Sequence, residues 1–131
     1  MHSQVLIADD QPDMRQTLRV LLESAGYRVS EAGDGNEAVR MARAAPPDLI
    51  LFDLNVPGLS GHTVLKEVKA DPGFNASVMA LTAETEMENL DASFAAGADA
   101  YMTKPVTREQ LLAQVRGLLP RGPTRGSKRD R

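Results

Sequence analysis

The chain has 131 residues, 42% of them hydrophobic, with no Cys and no Trp. That is enough apolar matter for one packed, aliphatic domain, and it excludes a disulfide scaffold, a cysteine–zinc site and thiol catalysis. The net charge of −3 hides an asymmetry: Arg121, Arg125, Lys128, Arg129 and Arg131 stand against Asp130 at the end, leaving 10 basic and 17 acidic residues in the first 119, so the acidic body does not read as a nucleic-acid binder.

The first element is the apolar run Val5-Leu6-Ile7-Ala8, which ends at Asp9-Asp10. Pro12 then opens a helix carrying Met14, Leu18, Leu21 and Leu22 at helical spacing, and Gly26 closes it. Tyr27-Arg28-Val29 reads as a weaker, alternating edge strand. Asp34 with Glu37 three positions on is a capping signal for a helix through Ala38, Val39 and Ala42, stopped by Pro46-Pro47. Leu49-Ile50-Leu51-Phe52 is a third strand ending at Asp53. Val64, Leu65 and Val68 give a third helix, closed by Asp71-Pro72-Gly73. Val78-Met79-Ala80-Leu81 is a fourth strand ending at Thr82, and Leu90, Phe94 and Ala95 belong to a fourth helix that stops at Gly97. Ala100-Tyr101-Met102-Thr103 is the fifth strand, ending at Lys104-Pro105. Thr107 and Gln110 cap a last helix through Leu111, Leu112, Val115, Leu118 and Leu119.

Short continuous apolar runs suit parallel strands covered on both faces. The alternation therefore predicts an α/β fold, a doubly wound (βα)5 unit around a five-stranded parallel sheet. Residues 1–119 form that domain, and 120–131, rich in Pro, Gly and basic residues, read as a flexible basic tail or the start of a linker. No apolar run reaches the ~18–20 residues of a membrane span. Met1-His2-Ser3-Gln4 lacks the basic flank of a signal peptide, so a cytoplasmic, non-membrane protein is expected.

Asp9, Asp10, Asp53, Thr82 and Lys104 each directly follow a strand. In a parallel sheet these positions are all carboxyl ends, which converge on the edge where such folds bind ligands. Three carboxylates there would repel one another. A hard divalent cation such as Mg²⁺, with oxygen ligands only, resolves the conflict and offsets the charge of an incoming phosphate. Lys104 can pair with a phosphate oxygen, Thr82 can donate its hydroxyl to another, and a carboxylate left free can attack phosphorus.

The ordered set resembles the response-regulator receiver domain of two-component signalling, a CheY-like unit, over nearly all of residues 3–119. The resemblance rests on Asp9-Asp10, the stretch Leu51-Phe52-Asp53-Leu54-Asn55-Val56-Pro57-Gly58, Gly61, Thr82-Ala83, Gly97-Ala98-Asp99-Ala100-Tyr101 and Lys104-Pro105. It implies a flavodoxin-like sheet of order 2-1-3-4-5 and Asp53 as phospho-acceptor. It also implies Mg²⁺ held directly by Asp10, Asp53 and the main-chain carbonyl of Asn55, with Asp9 helping through water. Thr82 and Tyr101 become a switch pair, Lys104 the contact of the phosphoryl group, and the bond before Pro105 is expected to be cis. The donor would be a phosphohistidine of a sensor histidine kinase or a histidine phosphotransfer protein. The output domain or target would dock on the face of the fourth helix, fifth strand and fifth helix. Such a domain is not a conventional enzyme: it catalyses its own phosphotransfer and its own dephosphorylation.

Two further positions carry an expectation about lifetime. Asn55 and Glu84 lie two residues after Asp53 and Thr82, on the path by which water reaches phosphorus. Both are polar, which favours a transient phospho-state and a free-standing regulator over the N-terminal receiver of a longer protein. The competing readings are a phosphorylation-independent docking module and a haloacid-dehalogenase-like Mg²⁺ phosphohydrolase. The second needs an acid where Asn55 stands. A nucleotide-binding Rossmann half fails on Ala8-Asp9-Asp10-Gln11-Pro12, which has no Gly and places negative charge where phosphate must sit.

Overall fold

The computed structural model describes residues 3–53, 66, 67, 70, 76–82 and 98–119. Five strands form one parallel sheet: β1 (Gln4–Ala8), β2 (Arg28–Ala32), β3 (Leu49–Asp53), β4 (Ser77–Thr82) and β5 (Ala100–Thr103), in the order β2-β1-β3-β4-β5. The described helices are α1 (Pro12–Ser24), α2 (Gly35–Ala44) and α3 (Arg108–Leu118), the last being the fifth helix of the sequence pattern. The predicted third and fourth helices lie outside the described residues, apart from helical Lys66 and Glu67.

The sheet divides the core in two because successive strand residues point to opposite faces. Val5, Ile7, Leu49, Leu51, Met79, Leu81 and Met102 pack with α1 and α3 through Leu18, Leu22, Leu111, Leu112 and Val115. Leu6, Ala8, Ile50, Phe52, Val78 and Ala80 form the other layer with Ala38 and Ala42 of α2. This two-sided burial is why β1 and β3 read as unbroken apolar runs. It also places Met79 and Met102 in the core, as filler.

Local signals set the boundaries. The Asp34 carboxylate accepts from Glu37 N–H at 2.8 Å, and the Glu37 side chain reaches back to Gly33 N–H, also at 2.8 Å. Thr107 Oγ1 accepts from Gln110 N–H at 3.2 Å at the start of α3. Gly26 takes a φ of 97°, which only glycine adopts without strain, and turns the chain out of α1.

The second strand differs from its sequence reading. It runs over Arg28–Ala32, and Tyr27 precedes it with its ring in the α1/α3 core. The reason is register: Arg28 to Ala32 pair with Gln4 to Ala8 along β1. The polar residues that masked the end of this strand, Ser30 and Glu31, lie within that ladder. Among the described residues, no helix is long and apolar enough to cross a membrane.

Candidate functional site

Strand order reverses between β1 and its two neighbours, so the connections leaving β1 and β3 diverge and open a crevice at their carboxyl ends. Register aligns the two strands there. Ala8 pairs with Phe52, so Asp9 and Asp53 stand side by side one step further on. Both are buried, Asp9 fully and Asp53 to within 5% exposure, whereas Asp10 is exposed. One carboxylate oxygen from each of Asp9, Asp10 and Asp53 lies within 4.8 Å of the others.

Lys104 follows β5, two strands away, and its long side chain crosses the end of β4. Its Nζ donates to Asp53 Oδ2 at 2.5 Å and lies 3.8 Å from Asp9 Oδ2. The Lys104–Pro105 peptide bond is cis. Tyr101, one-third exposed, sits on β5 and borders an open recess of about 450 Å³ together with Met102, Thr103, Gln110, Ala113 and Gln114. Thr82 closes β4 opposite Thr103. The side chain of Thr82, together with Asn55 and Glu84, lies outside the described residues, as does the tail 120–131.

The electrostatics follow from burial. Loss of water raises the Asp9 carboxyl above the ordinary range, and the charges of Asp53 and Asp10 push the same way. The Gln11 N–H bond and the Lys104 charge only moderate this. Burial would lower the Lys104 ammonium, but the hydrogen bond to Asp53 and the charges of Asp53, Asp9 and Asp10 hold it above its ordinary value. One ammonium thus faces three carboxylates among the described side chains.

Among the described residues Asp9 Oδ2 is buried without a hydrogen-bond partner, the Lys104 ammonium standing off at 3.8 Å. A buried carboxylate oxygen in that condition is costly unless a cation meets it. The donor set is all oxygen, with no imidazole or thiolate among the clustered ligands, and therefore fits a hard ion of the Mg²⁺ type.

The residues brought together are Asp9, Asp10, Asp53 and Lys104. Sequence reasoning missed Arg15. From the first turn of α1, its Nη1 donates to the Asp9 main-chain carbonyl at 2.7 Å and its Nε to Glu31 Oε1 at 3.0 Å. Glu31 is held in turn by Arg19 Nη1 at 2.5 Å. The available signal was weak: two arginines one turn apart on α1, opposite an acid in a predicted strand.

Residues 5–116 match the family model of the response regulator receiver domain. The DNA-binding response regulator MtrA of Mycolicibacterium smegmatis is 35% identical over 121 residues, covering 92% of this chain and 52% of that protein. The chain spans about half the length of the curated relatives it matches. A crystal structure of a response regulator from Chloroflexus aurantiacus superposes with a TM-score of 0.88 at 32% identity, covering 92% of this chain and all of that one. The receiver domain of the sensor histidine kinase PA1611 from Pseudomonas aeruginosa superposes with a TM-score of 0.84 at 29% identity, covering 92% and 99%, and holds a magnesium ion in its active-site cleft. The match along the whole sheet selects the receiver reading over the phosphohydrolase alternative, and the chain belongs to the response regulator receiver domain family of two-component signalling.

Proposed function

We propose that Asp53 accepts a phosphoryl group from a phosphohistidine of a sensor histidine kinase or histidine phosphotransfer protein. The observation that carries this reading is the convergence of Asp9, Asp10 and Asp53 at the β1/β3 crevice with the Lys104 ammonium on Asp53. Asp53 ends its strand in the buried crevice, and its carboxylate oxygen would be the nucleophile toward phosphorus. The bond from phosphorus to the donor nitrogen breaks as the new acyl-phosphate bond forms, and the histidine keeps the electron pair. Lys104 Nζ then passes from the carboxylate to a phosphoryl oxygen, so its charge is matched before and after transfer.

Asp10, Asp53 and the Asn55 carbonyl would hold Mg²⁺, with Asp9 assisting. The ion would supply charge neutralisation of the transferred group. Thr82 would then meet a phosphoryl oxygen and Tyr101 would respond. That bias would alter the surface of the fourth helix, β5 and α3, where an output domain or target docks. The exposed position of Tyr101 beside the β5–α3 recess supports this role.

The receiver would occupy residues 1–119 and act in the cytoplasm, with 120–131 as a basic tail or linker. The polar Asn55 and Glu84 would keep the phospho-state brief, so Asn55→Met and Glu84→Leu should slow phosphate loss from the purified phospho-protein. Parental rates in both variants would remove that part of the reading.

Incubation with acetyl phosphate and Mg²⁺, read by intact-protein mass spectrometry, tests the acceptor. One phosphate should appear with metal and should not appear when the metal is chelated before the donor is added. Labelling that persists without divalent metal would contradict the assignment.

A further inference from the structure

Two adjacent carboxylates cannot ordinarily serve one ion when the chain stays extended, because successive side chains diverge. Asp9 and Asp10 nevertheless bring oxygens within 4.8 Å of each other and of Asp53, one from a buried position and one from an exposed position. The peptide between them must therefore be held turned. The last ladder bond of β1 is Asp9 N–H to the Ala32 carbonyl at 3.1 Å. Beyond it, Gln11 N–H closes a short turn on Asp9 Oδ1 at 2.9 Å. The carbonyl of the Asp9–Asp10 peptide itself is taken by Arg15 Nη1.

We propose that Arg15 is a positioning residue of the acidic site: by gripping the Asp9–Asp10 peptide carbonyl it sets the convergence of the two carboxylates, and with it the affinity for Mg²⁺. The proposal rests on the metal reading given above.

Arg15 is itself fixed from several sides. Its N–H bonds the Gln11 carbonyl at 3.0 Å in the first turn of α1. Its Nε lies on Glu31 of β2, and its side chain is only 21% exposed. A Cβ on Gly33 would sit 3.6 Å from Nη1, so the loop after β2 roofs the guanidinium. Glu31 is anchored by Arg19, which also donates to the Val29 carbonyl at 3.1 Å. A continuous set of contacts thus runs from β2 through one planar guanidinium to the ligand-bearing peptide. Glu31 and Glu23 together match the charges of Arg15 and Arg19, so what Arg15 brings to the site is geometry, as partners behind metal ligands generally do. Lysine cannot replace it, because one ammonium lacks the fork that spans Glu31 and the Asp9 carbonyl together.

Mg²⁺ titrations of the full chain by calorimetry, with melting temperatures measured in chelator, test this on four proteins: the parent, Arg15→Ala, Arg15→Lys and Arg19→Ala. Arg15→Ala should weaken Mg²⁺ binding by roughly 10–100-fold, the usual effect of losing a partner behind a metal ligand. Arg15→Lys should also weaken it although the charge is kept, and it serves where the alanine variant does not fold. Raising Mg²⁺ to saturation should restore acetyl phosphate labelling in the Arg15 variants. Arg19→Ala removes an arginine that reaches Asp9 only through Glu31 and Arg15, so it should lower the melting temperature and weaken Mg²⁺ binding far less than the Arg15 variants do. Parental affinity in the Arg15 variants, or equal weakening in Arg19→Ala, would overturn the proposal while leaving the metal reading intact. A parent chain that binds no Mg²⁺ would overturn both.

Discussion

At the amino ends of the strands, Asp48 accepts from Gln4 N–H and Asp99 from Val78 N–H, each at 2.8 Å. Their own main chains join the same clamps: Asp48 N–H bonds the Gln4 carbonyl and Asp99 N–H the Val78 carbonyl. At the carboxyl ends, Asp9, Asp10 and Asp53 crowd together around one ammonium, and Asp9 Oδ2 accepts no hydrogen bond among the described residues. The residue type is the same and the sheet is the same. The difference is the company each carboxylate keeps. An aspartate that receives strand N–H groups is a fastening of the sheet, whereas aspartates gathered where the strands stop crowd their negative charge into one crevice, which suits a cation.

The sharpest way to break this contrast is to exchange functions between the edges. Asp53→Asn should abolish labelling by acetyl phosphate, whereas Asp48→Asn and Asp99→Asn should label as the parent does, read by intact mass. Next in size is the metal response. Mg²⁺ should raise the parental melting temperature, because a ligand bound only by the folded state stabilises it. Asp10→Asn should relieve repulsion, raise the metal-free melting temperature and remove most of that Mg²⁺ shift. An unchanged shift would contradict the ligand set.

At the opposite edge the sign reverses. Asp99→Ala leaves the Val78 N–H without its carboxylate, a loss of about 1–3 kcal/mol in denaturant unfolding. Asp48→Ala breaks a more exposed bond and should cost about 0.5–1.5 kcal/mol. Stabilisation by either alanine would erase the distinction between the edges.

The smallest effect is a pH dependence beside the site. Burial alone would raise the Glu31 carboxyl, but the hydrogen bonds and charges of Arg19 and Arg15 outweigh it and hold the carboxyl below the ordinary range. A carboxyl depressed in the folded state stabilises above its unfolded value of ~4.3 and loses that contribution as pH falls through the lower folded value. Glu31→Gln should therefore narrow the stability gap between pH 6 and pH 3 by less than ~1 kcal/mol, as partly exposed pairs do. A gap equal to the parental one would show that the arginine network adds nothing there.

What was legible in the chain divides along physical lines. Strands β1, β3 and β5 end where side chains change from apolar to functional, so Asp9, Asp53 and Lys104 could be placed on one edge from order alone. The caps at Asp34 and Thr107 are local and were equally readable. The end of β2 was not, because Ser30 and Glu31 break its apolar pattern and Glu31 is accommodated by arginines 12 and 16 positions away. Asp48 and Asp99 precede strands, where an aspartate reads as turn chemistry, and their clamps depend on register across the sheet. Arg15 was hidden for the same reason: its bond to the Asp9 carbonyl follows from how α1 lies over β1, which no spacing records.

The central claim is that one carboxylate, at the carboxyl edge, is the acceptor. Site-resolved mass spectrometry of the chain after acetyl phosphate and Mg²⁺ tests it most directly. The account predicts phosphate on Asp53 alone. Phosphate on Asp48 or Asp99, or undiminished labelling in Asp53→Asn, would contradict it.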